Sequence, residues 1–347
     1  MAAIDKLLLE MLEIGGSDLH LIAGQPAKVR VHGSLKAITE ESLTNQKLIA
    51  ILEEICPSER WEIFKKTLDI DFAYEIEGKA RFRTNYLNNF YGVSAVLRVI
   101  PSKILTMDDL KLPEVMKNVS SYPGGLVLVT GPTGSGKSTT MAAIIDHINK
   151  TYSKHIITIE DPIEFVHKSA KAVIVHKEVG IHSNSFSEAL KAAIKSDPDI
   201  ILLGEMRDME TIKLALTASA MGILVFATLH TNNAPKTIDR IIDAFPAEEQ
   251  PQVKTMLSEA LKAVISQLLC IKTGGQGRVA VHEILLYTDA LPNIIRNGQI
   301  SNIKTIIESN SAIGMKNMDN SLKELLEQNI ITKEEAYKKA SEKKMFL

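Results

Sequence analysis

The sequence predicts an α/β chain. An α+β domain with an antiparallel sheet comes first, then a mostly parallel sheet flanked by helices, then terminal helices. Three observations predict this. Residues 19 to 100 carry short strand-like runs separated by turn residues. From Gly124 the pattern changes to apolar strands alternating with helical segments, the signature of a sheet covered on both faces. From about Asp289 the chain turns helical, polar and lysine-rich.

At the N-terminus, Ile4, Leu7, Leu8, Met11 and Leu12 follow i, i+3, i+4 spacing and predict an amphipathic helix ending near Gly15 and Gly16. Asp5, Glu10 and Glu13 interrupt its apolar residues and exclude a signal peptide. The runs LHLIA, AKVRVHG, IDFAYEI, KARFRTNYL and SAVLRVI then predict strands, with LIAILEEICPSERWEIFKK as a helical interruption. This gives a first domain over 1–100. Two prolines and mixed polarity make 101–118 a linker. Over 119–288, GLVLVTG, HIITIED, DIILLGE and ILVFATLH predict strands. TTMAAIIDHINKTY, SFSEALKAAIKSD and METIKLALTASA predict the helices between them. Residues 289–347 make a small helical subdomain.

Composition narrows the function classes. With 45% hydrophobic and 24% charged residues, the chain reads as an ordinary globular protein. A net charge of -2 argues against a surface built for nucleic acid, and no nucleic-acid partner is expected. Cys56 and Cys270 form no CxxC pair, so neither a zinc site nor a disulfide framework is indicated, and a reducing compartment fits. The most apolar run, LALTASAMGILVFATL, is too short to span a bilayer comfortably. A cytoplasmic location is expected, with any membrane contact peripheral.

Chemistry enters at TGPTGSGKSTT. Gly131, Gly136, Lys137 and Ser138 satisfy GxxxxGK[ST] between a buried strand and an amphipathic helix. That turn aims backbone N–H groups and a helix N-terminus at phosphates. Lys137 would neutralise β/γ-phosphate charge and Ser138 would ligate Mg²⁺, for ATP or GTP. Gly131, Pro132, Thr133, Gly134, Ser135, Gly136, Lys137, Ser138 and Thr139 are the candidate nucleotide-binding stretch.

Two later strands run into acids: Glu160, Asp161 and Glu164 after HIITI, and Glu205 after DIILLG. Each could be a solvated strand end. Beside a phosphate loop, one such acid can anchor Mg²⁺ or its waters and another can deprotonate the attacking water. His230 ends a third strand, where a structural role and a γ-phosphate contact are both open. In the ARFR run, Arg81 and Arg83 stand out among a basic set dominated by lysine. They fit either a strand of alternating charge or guanidinium groups reaching a nucleotide.

GPTGSGKSTT, IEDPIEF, SFSEALKAAIKSDPDIILLGEMRDMETI, TLHTNNAPKTIDRIIDAFP and SEALKAVISQLL, in this order, resemble the bacterial type II/IV secretion ATPase superfamily. Within it the chain is similar to the type IV pilus retraction ATPases over nearly its whole length. The resemblance implies a RecA-like P-loop ATPase domain, an N-terminal α+β PAS-like domain and C-terminal helices, assembled as a homohexamer that hydrolyses ATP with Mg²⁺. It implies Glu164 as general base supported by Glu160 and Asp161, Glu205 as the Walker B acid, and His230 as the His-box residue. Arg81, Arg83 and Arg98 would be nucleotide-contacting arginines, with Arg207 and Arg240 as supporting residues. The implied partners are an inner-membrane platform protein and the pilus assembly machinery, with the chain peripheral to the inner membrane.

The long N-terminal region and four-cysteine insertion usual in assembly and secretion ATPases are absent from this sequence. Three departures from the retraction ATPases stand out. ALPNIIRNGQ replaces the family's AIRNLIRE stretch, putting Leu291 and Pro292 in place of Ile-Arg and Asn297 in place of the final Glu. Proline is compatible with a first helical turn, so a helix is still expected there. SAMGI stands for AETGH, which puts Ala220 and Ile223 in place of a Glu and a His, and Lys177, Lys191 and Lys195 occupy usual arginine positions. The function implied is a motor for pilus retraction. An accessory retraction ATPase is the alternative, and a RecA-type nucleic-acid translocase a more distant one.

Overall fold

The computed structural model describes residues 2–31, 33–100 and 103–347. His32 in the AKVRVHG run, and Pro101 and Ser102 of the expected linker, lie outside the described residues. The chain divides into two units: Met1–Lys103 with Asp161–Phe165, and Ile104–Glu160 with Val166–Leu347.

The first unit holds a six-stranded sheet. Its strands are β1 (Asp18–Ile22), β2 (Lys28–Val31), β3 (Ser34–Ala37), β4 (Asp69–Ile76), β5 (Ala80–Asn89) and β6 (Gly92–Ile100). They lie in the order β3-β2-β1-β6-β5-β4, every neighbouring pair antiparallel. Alternation decides its faces. Phe82, Thr84 and Tyr86 of β5 are buried, while Arg81, Arg83 and Asn85 lie on the other side. The buried face packs against helices Asp5–Glu13, Asn45–Ile55 and Ser58–Thr67. The helical interruption is two helices rather than one, because Pro57 cannot continue the first and instead opens the second. Tyr86 sits at the centre of an aromatic group with Trp61, Phe64 and Phe72, and its hydroxyl donates to the Leu52 carbonyl at 3.0 Å. β3 has no sequence signature, since all of its residues are exposed.

The second unit holds seven strands: β7 (Gly125–Thr130), β8 (His155–Glu160), β9 (Val173–Glu178), β10 (Ile200–Leu203), β11 (Leu224–Leu229), β12 (Leu261–Ile271) and β13 (Arg278–Leu286). Their order is β13-β12-β7-β11-β10-β8-β9, parallel except for β13. β7, β10 and β11 are buried at every residue, the expected state of a parallel strand covered on both faces. Met107, Leu112 and Met116, from the segment read as a linker, are buried in this unit's core.

The terminal helices divide between two cores. Leu291, Ile295, Ile303 and Ile307 join the main one. Met318, Leu322, Ile331, Ala336 and Phe346 make a smaller one with Cys270 and Val281 from β12 and β13.

A histidine pair joins His167, in the segment after β8, to His176 on β9. The His167 amide donates to His176 Nε2 at 3.1 Å, and Thr158 Oγ1 meets His176 Nδ1 at 2.8 Å. The His167 ring stacks on His176 with centroids 5.9 Å apart. Its Nδ1 is buried without a hydrogen-bond partner. Burial, with the neighbouring His176, pushes the His167 pKa down from 6.5 to about 4. The folded chain therefore keeps His167 neutral where the unfolded chain takes up a proton, so stability falls as pH drops from 6.5 toward 4. Replacing His167 with leucine is expected to remove about 2 kcal/mol of the stability lost between pH 7 and pH 5. Urea midpoints measured across that range check this, and an unchanged pH slope would refute it.

Candidate functional site

β7 delivers the chain to the loop at Gly131, and helix Lys137–Thr151 carries it away. Within the loop Gly131, Gly134 and Gly136 have φ of 148°, 78° and 86°, values that favour glycine. Space demands glycine too. A Cβ on Gly131 would lie 2.3 Å from the Gln267 carbonyl, and one on Gly136 2.9 Å from Gln267 Nε2. Lys137 Nζ donates to the carbonyls of Gly131 at 2.8 Å and Pro132 at 3.2 Å, so the ammonium lies across the loop. Pro132, Thr133 and Gly134 are exposed, while Ser138 and Thr139 are half-buried in the first helical turn. Ser135 is buried and its Oγ has no hydrogen-bond partner, a donor that a phosphate oxygen would satisfy.

Parallel pairing brings the other candidates to the same edge of the sheet. Ile159, Leu203, Ala227 and Leu128 are in register across β8, β10, β11 and β7. Glu160, Glu205 and His230 therefore leave the sheet at the end where the phosphate loop does. Gly204 allows the close approach of β8 to β10: a Cβ there would lie 3.3 Å from Glu160 Cα. Glu205 is held between two partners, Arg207 Nη2 at 2.7 Å and His230 Nε2 at 3.0 Å. Burial raises its pKa, but the Arg207 hydrogen bond and charge, with His230, outweigh that and hold the carboxyl below its usual value. Glu205 is thus an ionised, hard oxygen donor at the end of the sheet from which the loop also leaves.

Asp161 and Glu164 belong to the segment Asp161–Phe165 that is grouped with the first unit. Glu164 is half-buried and Asp161 exposed. Arg240 is exposed in the last turn of helix Ala234–Ile242.

The three N-terminal arginines share one face of the first unit's sheet. Pairing register makes a row of Arg30, Asp18, Arg98 and Arg83 across β2, β1, β6 and β5, with Arg81 two residues along β5. Asp18, 3% exposed, accepts from Arg98 Nε at 2.6 Å and lies 3.9 Å from Arg30 Nε. Its burial is outweighed by the hydrogen bonds from Ser17 and Arg98 and by Arg98's charge, so its pKa is lowered. Arg81 and Arg83 have Glu75 and Asp71 as partners at 3.6 and 3.8 Å. Sequence reading missed Asp18 and Arg30, whose place in the row depends on strand register. It also missed Gln267, which touches the loop from β12 and lies in the SEALKAVISQLL segment without having been singled out there.

A family model described as type II/IV secretion system protein matches residues 1–272. The chain is 50% identical over 337 residues to the type IV pilus retraction ATPase PilT of Pseudomonas aeruginosa, covering 97% of this chain and 98% of that protein. It is 47% identical over 312 residues to a twitching motility protein of Neisseria gonorrhoeae, covering 90% and 83%. The crystal structure of the pilus retraction motor PilT with bound ADP superposes with a TM-score of 0.90 at 40% identity, over 99% of this chain and 98% of that one. With its RecA-like P-loop ATPase fold, the chain belongs to the type II/IV secretion system protein family.

Proposed function

We propose that this chain is a hexameric motor ATPase that couples ATP hydrolysis to retraction of a type IV pilus. The observation that carries the reading is 50% identity to a pilus retraction ATPase across 97% of the chain. The glycine cradle at Gly131 and Gly136 and the unpartnered buried Ser135 hydroxyl support triphosphate binding at Gly131 to Thr139. Lys137, now on loop carbonyls, exchanges them for phosphate oxygens.

The residues present also fit a magnesium ion, since the Ser138 hydroxyl and the ionised Glu205 carboxylate are hard oxygen donors. Bound there, directly or through water, Mg²⁺ would supply charge neutralisation on the phosphates. Glu164 takes the proton of the attacking water, with Glu160 and Asp161 shaping the charge around it. His230, hydrogen-bonded to Glu205, reports whether a γ-phosphate is present. Arg81, Arg83 and Arg98 engage the nucleotide's negative charge, and Arg207 and Arg240 support the site. The hexamer works at the cytoplasmic side of the inner membrane, under a platform protein of the pilus assembly machinery. Among the described residues no helix is long and apolar enough to cross a membrane, which accords with a peripheral placement.

A second reading, an accessory motor assisting a principal one, is favoured by the ALPNIIRN stretch. Helix Leu291–Arg296 forms despite Pro292, which occupies its first turn, and it buries Leu291 and Ile295. Arg296 donates to Asn293 Oδ1 at 2.9 Å and to Ser258 Oγ at 3.3 Å. The helix therefore survives, while the arginine and the final glutamate of the family's stretch are gone.

Glu164→Gln is expected to keep ATP affinity and lose turnover by roughly a hundredfold or more. A variant that hydrolyses ATP at the normal rate would remove Glu164 as the base. Deleting the gene is expected to leave cells hyperpiliated and unable to twitch. Loss of surface pili would point to assembly instead. Full rescue of a retraction-deficient strain by this chain alone would dismiss the accessory reading.

A further inference from the structure

Gln267 lies on β12, in the strand beside β7, and is 2% exposed. Both ends of its amide are occupied. Nε2 donates to the Ser135 carbonyl of the phosphate loop at 2.6 Å. Oε1 accepts from Thr140 Oγ1, in the helix that follows the loop, at 2.7 Å. Oε1 also meets His282 Nε2 at 3.0 Å, from the paired position on β13. A carbonyl can only accept, so Ser135 fixes which end of the amide faces the loop, and the imidazole must carry its proton on Nε2.

We propose that Gln267 is a positioning residue for nucleotide binding, and that His282 is the group that holds it in place. The inference rests on the ATPase reading of the loop. Its physical basis is the planar peptide. In a trans peptide the Ser135 carbonyl and the Gly136 N–H point in opposite directions. Holding the carbonyl toward Gln267 therefore sets the Gly136 N–H on the far side of that peptide. Loop N–H groups so fixed bind phosphate without first having to be ordered. The fit is close: Gly131 lies against the Gln267 backbone carbonyl and Gly136 against its amide nitrogen, so neither glycine has room for a side chain.

His282 completes the clamp. It is 5% exposed, and burial, with Lys316 nearby, pushes its pKa down to about 4. It therefore stays a neutral donor. Its own carbonyl accepts from Ser321 Oγ at 2.6 Å, which joins the clamp to helix Met318–Glu327. The chain of contacts thus runs from the loop through two strands to a C-terminal helix.

The test compares Gln267→Met, close in volume but without the amide, with His282→Leu and His282→Gln. An amide nitrogen in the last variant can replace imidazole Nε2. Equilibrium binding of a fluorescent ATP analogue and steady-state kinetics are measured beside melting temperatures. Losing the three buried hydrogen bonds of the amide, or in His282→Leu the one that holds it in place, is expected to weaken nucleotide affinity and raise KM about tenfold or more. In Gln267→Met and His282→Leu, kcat should fall far less, and His282→Gln should restore most of the affinity. Unchanged affinity in folded Gln267→Met or His282→Leu protein would overturn the proposal. So would equal losses in His282→Leu and His282→Gln, and that pair decides the matter even where Gln267→Met does not fold. Wild-type protein that binds the analogue without hydrolysing ATP would instead sink the ATPase reading, and the binding comparison would still judge Gln267.

Discussion

A loop that grips phosphate with its N–H groups must have its carbonyl groups held by something else. In this chain Lys137 takes the carbonyls of Gly131 and Pro132, and Gln267 takes that of Ser135. The requirement explains why β12 lies directly against β7 and why the loop has glycine at Gly131 and Gly136. It also gives the phosphate loop an asymmetric support. Lysine is mobile and can leave its carbonyls for a stronger partner, whereas the buried amide has nowhere to go. One face of the loop is fixed by packing, and the other is free to trade partners when an anion arrives.

The charged residues around the strand ends obey a related logic. Pairing with a largely buried carboxylate chiefly offsets the cost of burying its charge, so the Glu205–Arg207 and Asp18–Arg98 contacts are poor candidates for adding net stability to the fold. Arg207 and Arg98 are mostly exposed, with side-chain accessibilities of 71% and 66%, while their carboxylates are largely buried. Such an arrangement keeps the acid ionised and leaves the exposed side of the guanidinium open to a second oxygen partner. In the proposed function both acids then hold arginines in place, Glu205 at the strand ends and Asp18 on the first unit's sheet.

Much of this was legible in the sequence wherever chemistry and pattern coincide within one short segment. The phosphate loop was readable because its glycines are forced by backbone conformation, and the buried strands because GLVLVT and LVFATL are wholly apolar. ARFR was readable as two arginines on one face because strand alternation is local. Other features depend on pairing between distant segments. Thr130 meets Ser266 across 136 positions at 2.9 Å, and that register is what sets Gln267 beside the loop. Nothing in SQLL announces it. Asp18 joins Arg98 for the same reason, across 80 positions. β3 escaped notice because its residues are all exposed and lack the apolar pattern that marks a buried strand. The 101–118 segment, with its prolines and mixed polarity, gave no sign that Met107, Leu112 and Met116 would be buried.

The antiparallel hairpin of β12 and β13 has a consequence that a purely parallel sheet would lack. Adjacent residues on a strand face opposite sides of the sheet, so His282 and Glu283 act on different layers. His282 faces Gln267, which in turn holds the phosphate loop. Glu283, 8% exposed, accepts from the Ala234 amide at 2.8 Å at the start of the helix that follows His230. Burial raises its pKa, while backbone N–H groups of Ala234 and Met318 partly offset that. A carboxyl that meets the starts of helices Ala234–Ile242 and Met318–Glu327 ties the His230 strand end to the C-terminal region. Two consecutive residues of β13 thus meet Gln267, the loop's support, on one face and the start of the helix after His230 on the other. A shift of the loop relative to that exit would strain this hairpin, because both contacts are buried and neither can lengthen without leaving a polar group unpaired.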